Sequence, residues 1–311
     1  MALTHPLLDP AVRGAVARAA SAHRGTPWTG TGFTDLGGRS SHPAGVFHGT
    51  PFPVFAKLAV AAGAEAQITA ELAGLRLLHD QAGVATAVPV ADGAVPVPPG
   101  WLLLAEALPE RLPGDRTPAD WRSIGRALAT LHGVAGPRFG LATEGYFGPL
   151  PQPNAPVRPD RWATFYAERR LRPNLRLAAD SGQLPGDLAA GVEQIIHRLP
   201  TLAGPEPHPA LLHGDAQQHN FVSIPGGAVL IDPAPYFGHP ELDLALLGYF
   251  HPVPRHVLDG YTEVRPVDAG FAARRELWRM FAYLAVLAVD GGTPYGRRFL
   301  ARLDQAIAGY R

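Results

Sequence analysis

The spacing of apolar residues along this chain changes character near residue 106. Before it, short runs alternate or cluster as strands do; after it, apolar residues recur at three- and four-residue steps, as on one face of a helix. Ala11 to His23 reads as a short alanine-rich helix. Thr34 to Leu58 breaks into strand-like pieces around Gly37-Gly38-Arg39-Ser40-Ser41 and His48-Gly49. Within it, Pro53 to Leu58 is a strand whose alternation puts Lys57 on one face with Phe55 and away from Val54 and Ala56. A helix is predicted over Ala64 to His79 from Ile68, Leu72, Leu75 and Leu78. Asp92 to Gly100 is turn-rich, Trp101 to Leu104 is a last apolar strand, and Ala105 to Leu108 is the crossing into a second lobe.

Beyond that crossing, Thr117-Pro118 is a cap and first-turn pair, and Trp121, Ile124, Leu128 and Leu131 trace one helical face. Asp160 to Ala179, Asp187 to Leu199 and Arg274 to Val289 repeat the period. Ala210 to Leu212, Phe221 to Val222 and Ala228 to Ile231 are strand-like, and Pro225-Gly226-Gly227 turns the last two into an antiparallel hairpin. The pattern predicts an α+β chain of two lobes: strands and one key helix over residues 1–106, and a mainly helical lobe over 107–311.

Composition narrows the class. With 311 residues and 46% hydrophobic positions, the chain can bury a sizeable core. Lys plus Arg and Asp plus Glu both number 27, so no basic excess points to nucleic acid. The absence of cysteine excludes disulfides, thiolate metal sites and cysteine catalysis. No segment approaches the ~20 apolar residues of a membrane span, and Met1 to Pro10 has no basic stretch followed by an apolar run, so a soluble, cytoplasmic protein is expected.

The densest chemistry lies in Leu211-Leu212-His213-Gly214-Asp215, with Asn220 five residues on, and in Val229-Leu230-Ile231-Asp232-Pro233. The hairpin is expected to set Asn220 opposite Asp232, with Asp215 on a loop opening onto the same spot. Magnesium takes oxygen ligands, and phosphoryl transfer asks a protein mainly to position groups and neutralise charge. Asp232 and Asn220 are therefore candidate metal ligands, Asp215 the candidate base, and His213 a brace for the loop. Pro233 is expected to hold Asp232 in an extended segment. Lys57, otherwise an edge-strand amine facing water, is a candidate phosphate contact; Glu71 on the following helix is its candidate partner, with Glu65 the competitor. Gly38 and Ser40 are candidate contacts in a phosphate-covering loop, although the segment lacks the G-x-G-x-x-G pattern. A rival set, His213, Asp215, His219, Asp232 and His239, would read as a metal-hydrolase cluster, but it leaves Asn220 and Lys57 unused.

Phe139-Gly140-Leu141, Pro151 to Asn154, Trp162 to Pro173, His213-Gly214-Asp215 with Asn220, and Ile231 to Ala245 together resemble the fructosamine 3-kinase, or ketosamine kinase, family, in the right order over most of the chain. The resemblance implies the bilobal fold of protein kinases and aminoglycoside phosphotransferases, with ATP and magnesium used to phosphorylate the 3-hydroxyl of ketosamines. It implies Asp215 as base, Asn220 and Asp232 as metal ligands, Lys57 with Glu71 at the phosphates, Glu106 and Leu108 at the adenine, and Asp243 as a brace of the catalytic loop. The chain departs from the family where H-G-D-L-W-S-G-N becomes His213 to Asn220 with Ala216-Gln217-Gln218-His219 in the middle. It departs again in the late helix, Tyr283 to Asp290. Gln217, Gln218, His219, Glu241 and Asp290 are accordingly the candidate acceptor contacts. They form an anionic floor suited to a hydroxylated or glycated amine, with an aminoglycoside-like acceptor or a catalytically silent nucleotide binder as the alternatives.

Overall fold

A computed structural model of the chain describes residues 5–37, 42–109 and 113–311. Helix α1 (Pro10–Arg24), capped by the Asp9 carboxylate on Ala11 N, leads into strands β1 (Thr29–Asp35), β2 (Ala44–Thr50) and β3 (Val54–Ala59). Helix α2 (Ala64–Ala82) and strands β4 (Val95–Val97) and β5 (Gly100–Glu106) follow. The strands form one antiparallel sheet in the order β1-β2-β3-β5-β4. Alternation along β3 decides what each face buries: Val54, Ala56 and Leu58 pack under α1, while Ala59 packs with Ile68, Leu72 and Leu75 of α2. Lys57 therefore points to the α2 side.

The rest is dominated by helix: α3 (Pro118–Leu131), the ribbon β6 (Gly145–Phe147) and β7 (Leu150–Gln152), α4 (Trp162–Tyr166), α5 (Arg172–Asp180), α6 (Gly186–Leu202), β8 (Ala210–Leu212), β9 (Phe221–Ile224), β10 (Gly227–Leu230), β11 (Tyr236–Gly238), α7 (Pro240–Leu247), α8 (His256–Thr262), α9 (Phe271–Asp290) and α10 (Arg297–Ala308). Thr117 caps α3 with a reciprocal box: its Oγ1 accepts from Asp120 N, and the Asp120 carboxylate accepts from Thr117 N. The large core gathers Trp162, Tyr166, Trp278 and Phe281 from α4 and α9 around the short strands.

Several expectations need adjusting. The run expected as one helix from Asp160 is α4 and α5 joined by a wider π-type segment, Ala167–Leu171. Pro173 lies in the first turn of α5 and cannot donate; the Arg169 carbonyl accepts instead from the Arg170 guanidinium at 2.9 Å. Packing also continues across residue 106: Leu78 and Val84 join the larger core, and Leu230 exchanges backbone hydrogen bonds with Ala85 and Ala87. Among the described residues, no helix is long and apolar enough to cross a membrane.

Candidate active site

The hairpin forms as expected, with one difference in register. Leu230 pairs with Phe221, so Ile231 stands opposite Asn220, its N–H bonded to the Asn220 carbonyl at 3.0 Å, and Asp232 lies one residue further out. Asp232 is not extended either. Its φ of 50° makes it the only non-glycine residue in the left-handed region among the described residues, a conformation aspartate tolerates better than most. The turn lets Ala234 N–H reach the His213 carbonyl at 2.8 Å, which ties this loop to the His-Gly-Asp loop. The two backbones cross so closely that a Cβ on Gly214, itself at φ 81°, would fall 1.9 Å from the Ala234 oxygen. Only glycine fits there.

Asp243, fully buried in the first turn of α7, holds the loop from below. Its carboxylate accepts from His213 N at 2.7 Å and Gly214 N at 3.0 Å, and pairs with His132 Nε2 at 3.1 Å. The His213 ring lies between the two loops, with Nε2 donating to the Ile231 carbonyl and Nδ1 accepting from Asp215 N. Burial holds the His213 pKa below its ordinary value, which suits this neutral bridging role. Arg116 donates to the carbonyls of Gln218 and Phe221 and lies over the Trp121 ring, so the far end of the loop is also held.

Above this loop lies a cleft of about 1170 Å³, into which Lys57, Glu71, Asp215, Asn220 and Asp232 all open. Lys57 Nζ, on a side chain 8% exposed, donates to Glu71 Oε2 at 2.6 Å and Asp232 Oδ1 at 2.7 Å. One ammonium thus joins sheet, α2 and the Asp232 loop. Burial works against that ammonium, but the two carboxylates outweigh it and raise its pKa. Burial also raises the Glu71 carboxyl despite Lys57, whereas at Asp232 the attraction of Lys57 overcomes burial and holds the carboxyl below its ordinary range. Glu65 is exposed and makes no such pair, which decides between the two glutamates. Helix α2 comes this close because Gly74, one turn beyond Glu71, leaves room for Pro233 and Pro235: a Cβ there would stand 3.0 Å from Pro235 Cδ.

Asp215 faces the same space, and burial raises its carboxyl to about 7 even though hydrogen bonds from Gln217 and Asn220 pull it down. Gln217 Nε2 donates to both of its oxygens, at 3.2 Å and 3.3 Å. Asn220 Nδ2 donates to the Asp215 carbonyl at 2.8 Å. That carbonyl can only accept, so the Asn220 amide oxygen is the atom left for a ligand.

Other expected contacts fall elsewhere. Gln218 is buried with its amide on the His251 carbonyl, and Glu241 is spent in the core on Arg274 and on Trp278 Nε1; neither lines the cleft. Glu106 turns toward α1, where His23 and Arg24 take its carboxylate at 2.8 Å and 2.5 Å, and neither it nor Leu108 lines the cleft. His219 and Asp290 do line it; Gly38 and Ser40 lie outside the described residues. His239 caps α7 and packs on Trp278, and among the described residues no three His, Asp or Glu side chains are grouped to hold a metal, so the hydrolase set does not assemble. Tyr146 and Phe147 of the β6–β7 ribbon, which α2 touches through Gln67 Nε2 on the Gly148 carbonyl, also line the cleft and carry no motif in the sequence. Tyr249, Tyr295 and Arg298 form another wall that no motif marks. The regular spacing of Phe299, Leu303, Ala306 and Ile307 could have marked α10 and directed attention to that wall.

The model of the fructosamine kinase family matches residues 13–308. A protein of Klebsiella aerogenes named "Probable ketoamine kinase" is 38% identical over 170 residues, which is 54% of this chain and 58% of that protein, so the match spans little more than half of the curated relative. A solved structure from Thermobifida fusca, described as a candidate fructosamine-3-kinase, superposes with a TM-score of 0.79 at 31% identity, covering 94% of this chain and 98% of the other. The aminoglycoside phosphotransferase APH(4)-Ia shares the fold alone, with a TM-score of 0.62 at 14% identity over 96% of this chain and 99% of that one. The architecture is accordingly the α+β, protein-kinase-like fold of the phosphotransferases, and the chain belongs to the fructosamine kinase family.

Proposed function

We propose that this protein transfers the γ-phosphoryl group of ATP, with magnesium, to the 3-hydroxyl of a ketosamine. The observation that carries the reading is the Lys57 ammonium shared between Glu71 and Asp232, 2.6 Å and 2.7 Å away, in one cleft with the half-buried carboxyl of Asp215. The residues suit a magnesium nucleotide. Asp232 lines the cleft with its side chain 44% exposed, and Asn220 offers a neutral oxygen. Magnesium is commonly held by one or two protein oxygens together with substrate phosphates and water, so a pair of protein ligands is sufficient. When bound, the metal would neutralise charge on the nucleotide phosphates and keep them aligned.

The remaining chemistry falls to the chain's own side chains. Lys57, aimed by Glu71, supplies a fixed positive charge for the phosphates. Asp215 orients the acceptor hydroxyl and takes its proton as the oxygen bonds to phosphorus; Gln217 gives up its contact with the carboxylate as the hydroxyl arrives. A carboxyl near 7 is suited to this exchange, being ionised often enough to accept the proton and basic enough to hold it. Asp243 and His213 keep Asp215 in place and do not touch the acceptor. The nearest competing reading, a kinase for another hydroxylated amine, shares all of this machinery and differs only in the wall facing Asp215. The test is magnesium-ATP turnover by the purified protein with fructosyl-lysine or ribulosyl-lysine, an aminoglycoside panel and a no-acceptor control. Transfer to a ketosamine supports the reading, transfer only to another amine replaces it with the competitor, and tight nucleotide binding without any transfer leaves a silent binder.

A further inference from the structure

The wall facing Asp215 ends in the turn between α9 and α10, and its charge differs from the anionic floor that the sequence suggests. With Glu241 spent in the core, Asp290 remains at the end of α9, and its carboxylate has no hydrogen-bond or ion-pair partner among the described residues. Arg298, in the first turn of α10, lines the same cleft, and its guanidinium is equally unpartnered among the described residues. Its neighbour Arg302 is committed, donating to the Tyr249 carbonyl at 2.7 Å and lying 5.0 Å over the Phe299 ring.

The turn fixes these two free charges relative to each other. Thr293 Oγ1 donates to the Asp290 carbonyl at 2.8 Å and accepts from Gly296 N at 3.0 Å, while Arg297 donates to the Gly292 carbonyl at 2.7 Å. The helix ends meet so tightly that a Cβ on Gly296 would fall 2.0 Å from the Asp290 oxygen. On the same wall two apolar side chains stay open to water, Val289 at 47% and Tyr295 at 43%. Burial raises the Tyr295 hydroxyl, and the nearby Asp290 charge adds to that effect.

A wall with one free carboxylate, one free guanidinium and an exposed apolar pair complements a molecule carrying an ammonium, a carboxylate and an apolar side chain. We infer that the acceptor is a ketosamine whose sugar sits on the α-nitrogen of a free amino acid with an apolar side chain. The inference rests on the ketosamine reading of the cleft. Asp290 takes the secondary ammonium, Arg298 the carboxylate, and Val289 and Tyr295 the side chain, while the sugar reaches Asp215. A sugar on the ε-nitrogen of a lysine within a protein offers no carboxylate to Arg298.

The experiment compares fructosyl-valine, its carboxamide, and an Nε-fructosyl-lysine inside an end-blocked peptide, by turnover and by calorimetric binding to the nucleotide-free protein. The wild type is expected to favour the acid over the amide and the peptide by about tenfold in kcat/KM, the scale of one charge-assisted contact at a partly open site. Arg298→Ala brings the acid down to the level of the amide, and Arg298→Lys keeps part of the preference. Equal use of acid and amide by the wild type, or a preference that survives in Arg298→Ala, overturns the inference. If none of the three is phosphorylated, the ketosamine reading fails separately, and calorimetry still decides this one: tighter binding of the acid that depends on Arg298 upholds the subsite, and equal binding removes it.

Discussion

Asp215 is held where its charge is costly. Burial raises its carboxyl to about 7, so the fold prefers the protonated form while the proposed chemistry needs the ionised one. The folded pKa lies above the value of about 3.9 expected for an unfolded aspartate, so this group's relative stabilisation is present below about pH 4 and is lost as pH rises through about 7. Asp215→Asn should therefore raise the thermal midpoint by a few degrees at pH 8 and much less at pH 5, read by calorimetry. In the wild type, kcat/KM should fall as pH drops below about 7, because the free enzyme then loses its base; a flat profile from pH 5.5 to 8 would exclude Asp215 from that role. Lys57→Met should cut turnover on the order of a hundredfold or more, typical of removing a preorganised charge. Glu71→Gln should cost less, since the amide oxygen can still accept from Lys57. The single-residue identities here were legible because an oxygen-rich motif and a lysine inside an apolar strand are local signals. The side-chain destinations of Glu241 and Glu106 were not, because they are set by Arg274 from α9 and by His23 and Arg24 from α1, far along the chain.

At the scale of elements, the loop bearing Asp215 depends on the first turn of α7. Asp243 satisfies two backbone N–H groups that burial would otherwise leave unpaired. Asp243→Ala should destabilise the fold by about 3–5 kcal/mol in denaturant unfolding and also lower turnover in the molecules that remain folded. A loss below about 1 kcal/mol would mean that water replaces the carboxylate. Periodicity revealed α2, α3, α6 and α9 to within a few residues, and the Pro-Gly-Gly turn revealed the β9–β10 hairpin. Strand β1 was not legible, because its Thr29–Asp35 segment is mostly exposed and carries no alternation of buried and open residues. The one-residue register difference at Asp232 also has a physical source: the crossing with Gly214 forces the chain into the left-handed turn, and no hairpin rule contains that contact.

For the whole molecule, the sheet and the helical region meet through the Lys57 triad, the packing of Gly74 on Pro233 and Pro235, and the bond from Gln67 to Gly148. A ligand that uses both sides should stabilise the protein as one unit. Saturation with magnesium-ATP at about a hundred times its Kd should add roughly 2.7 kcal/mol, whereas ATP with EDTA should add clearly less; equal shifts in the two conditions would remove Asp232 and Asn220 as metal ligands. The strand-rich start and helical remainder were legible from the change in apolar spacing, whereas the contacts of Leu78, Val84 and Leu230 join segments far apart in the chain and leave no mark on spacing. Phosphoryl transfer in this cleft is proposed to use Asp215 as the base. Its most direct test is phosphate transfer to a ketosamine, followed by phosphorus NMR, for the wild type and Asp215→Asn side by side, with ATP affinity measured for both. Wild type should give product phosphorylated at the 3-hydroxyl, with transfer slowed by about 10²–10⁴ in the variant and nucleotide affinity nearly unchanged. Equal transfer by the two proteins would contradict that role for Asp215.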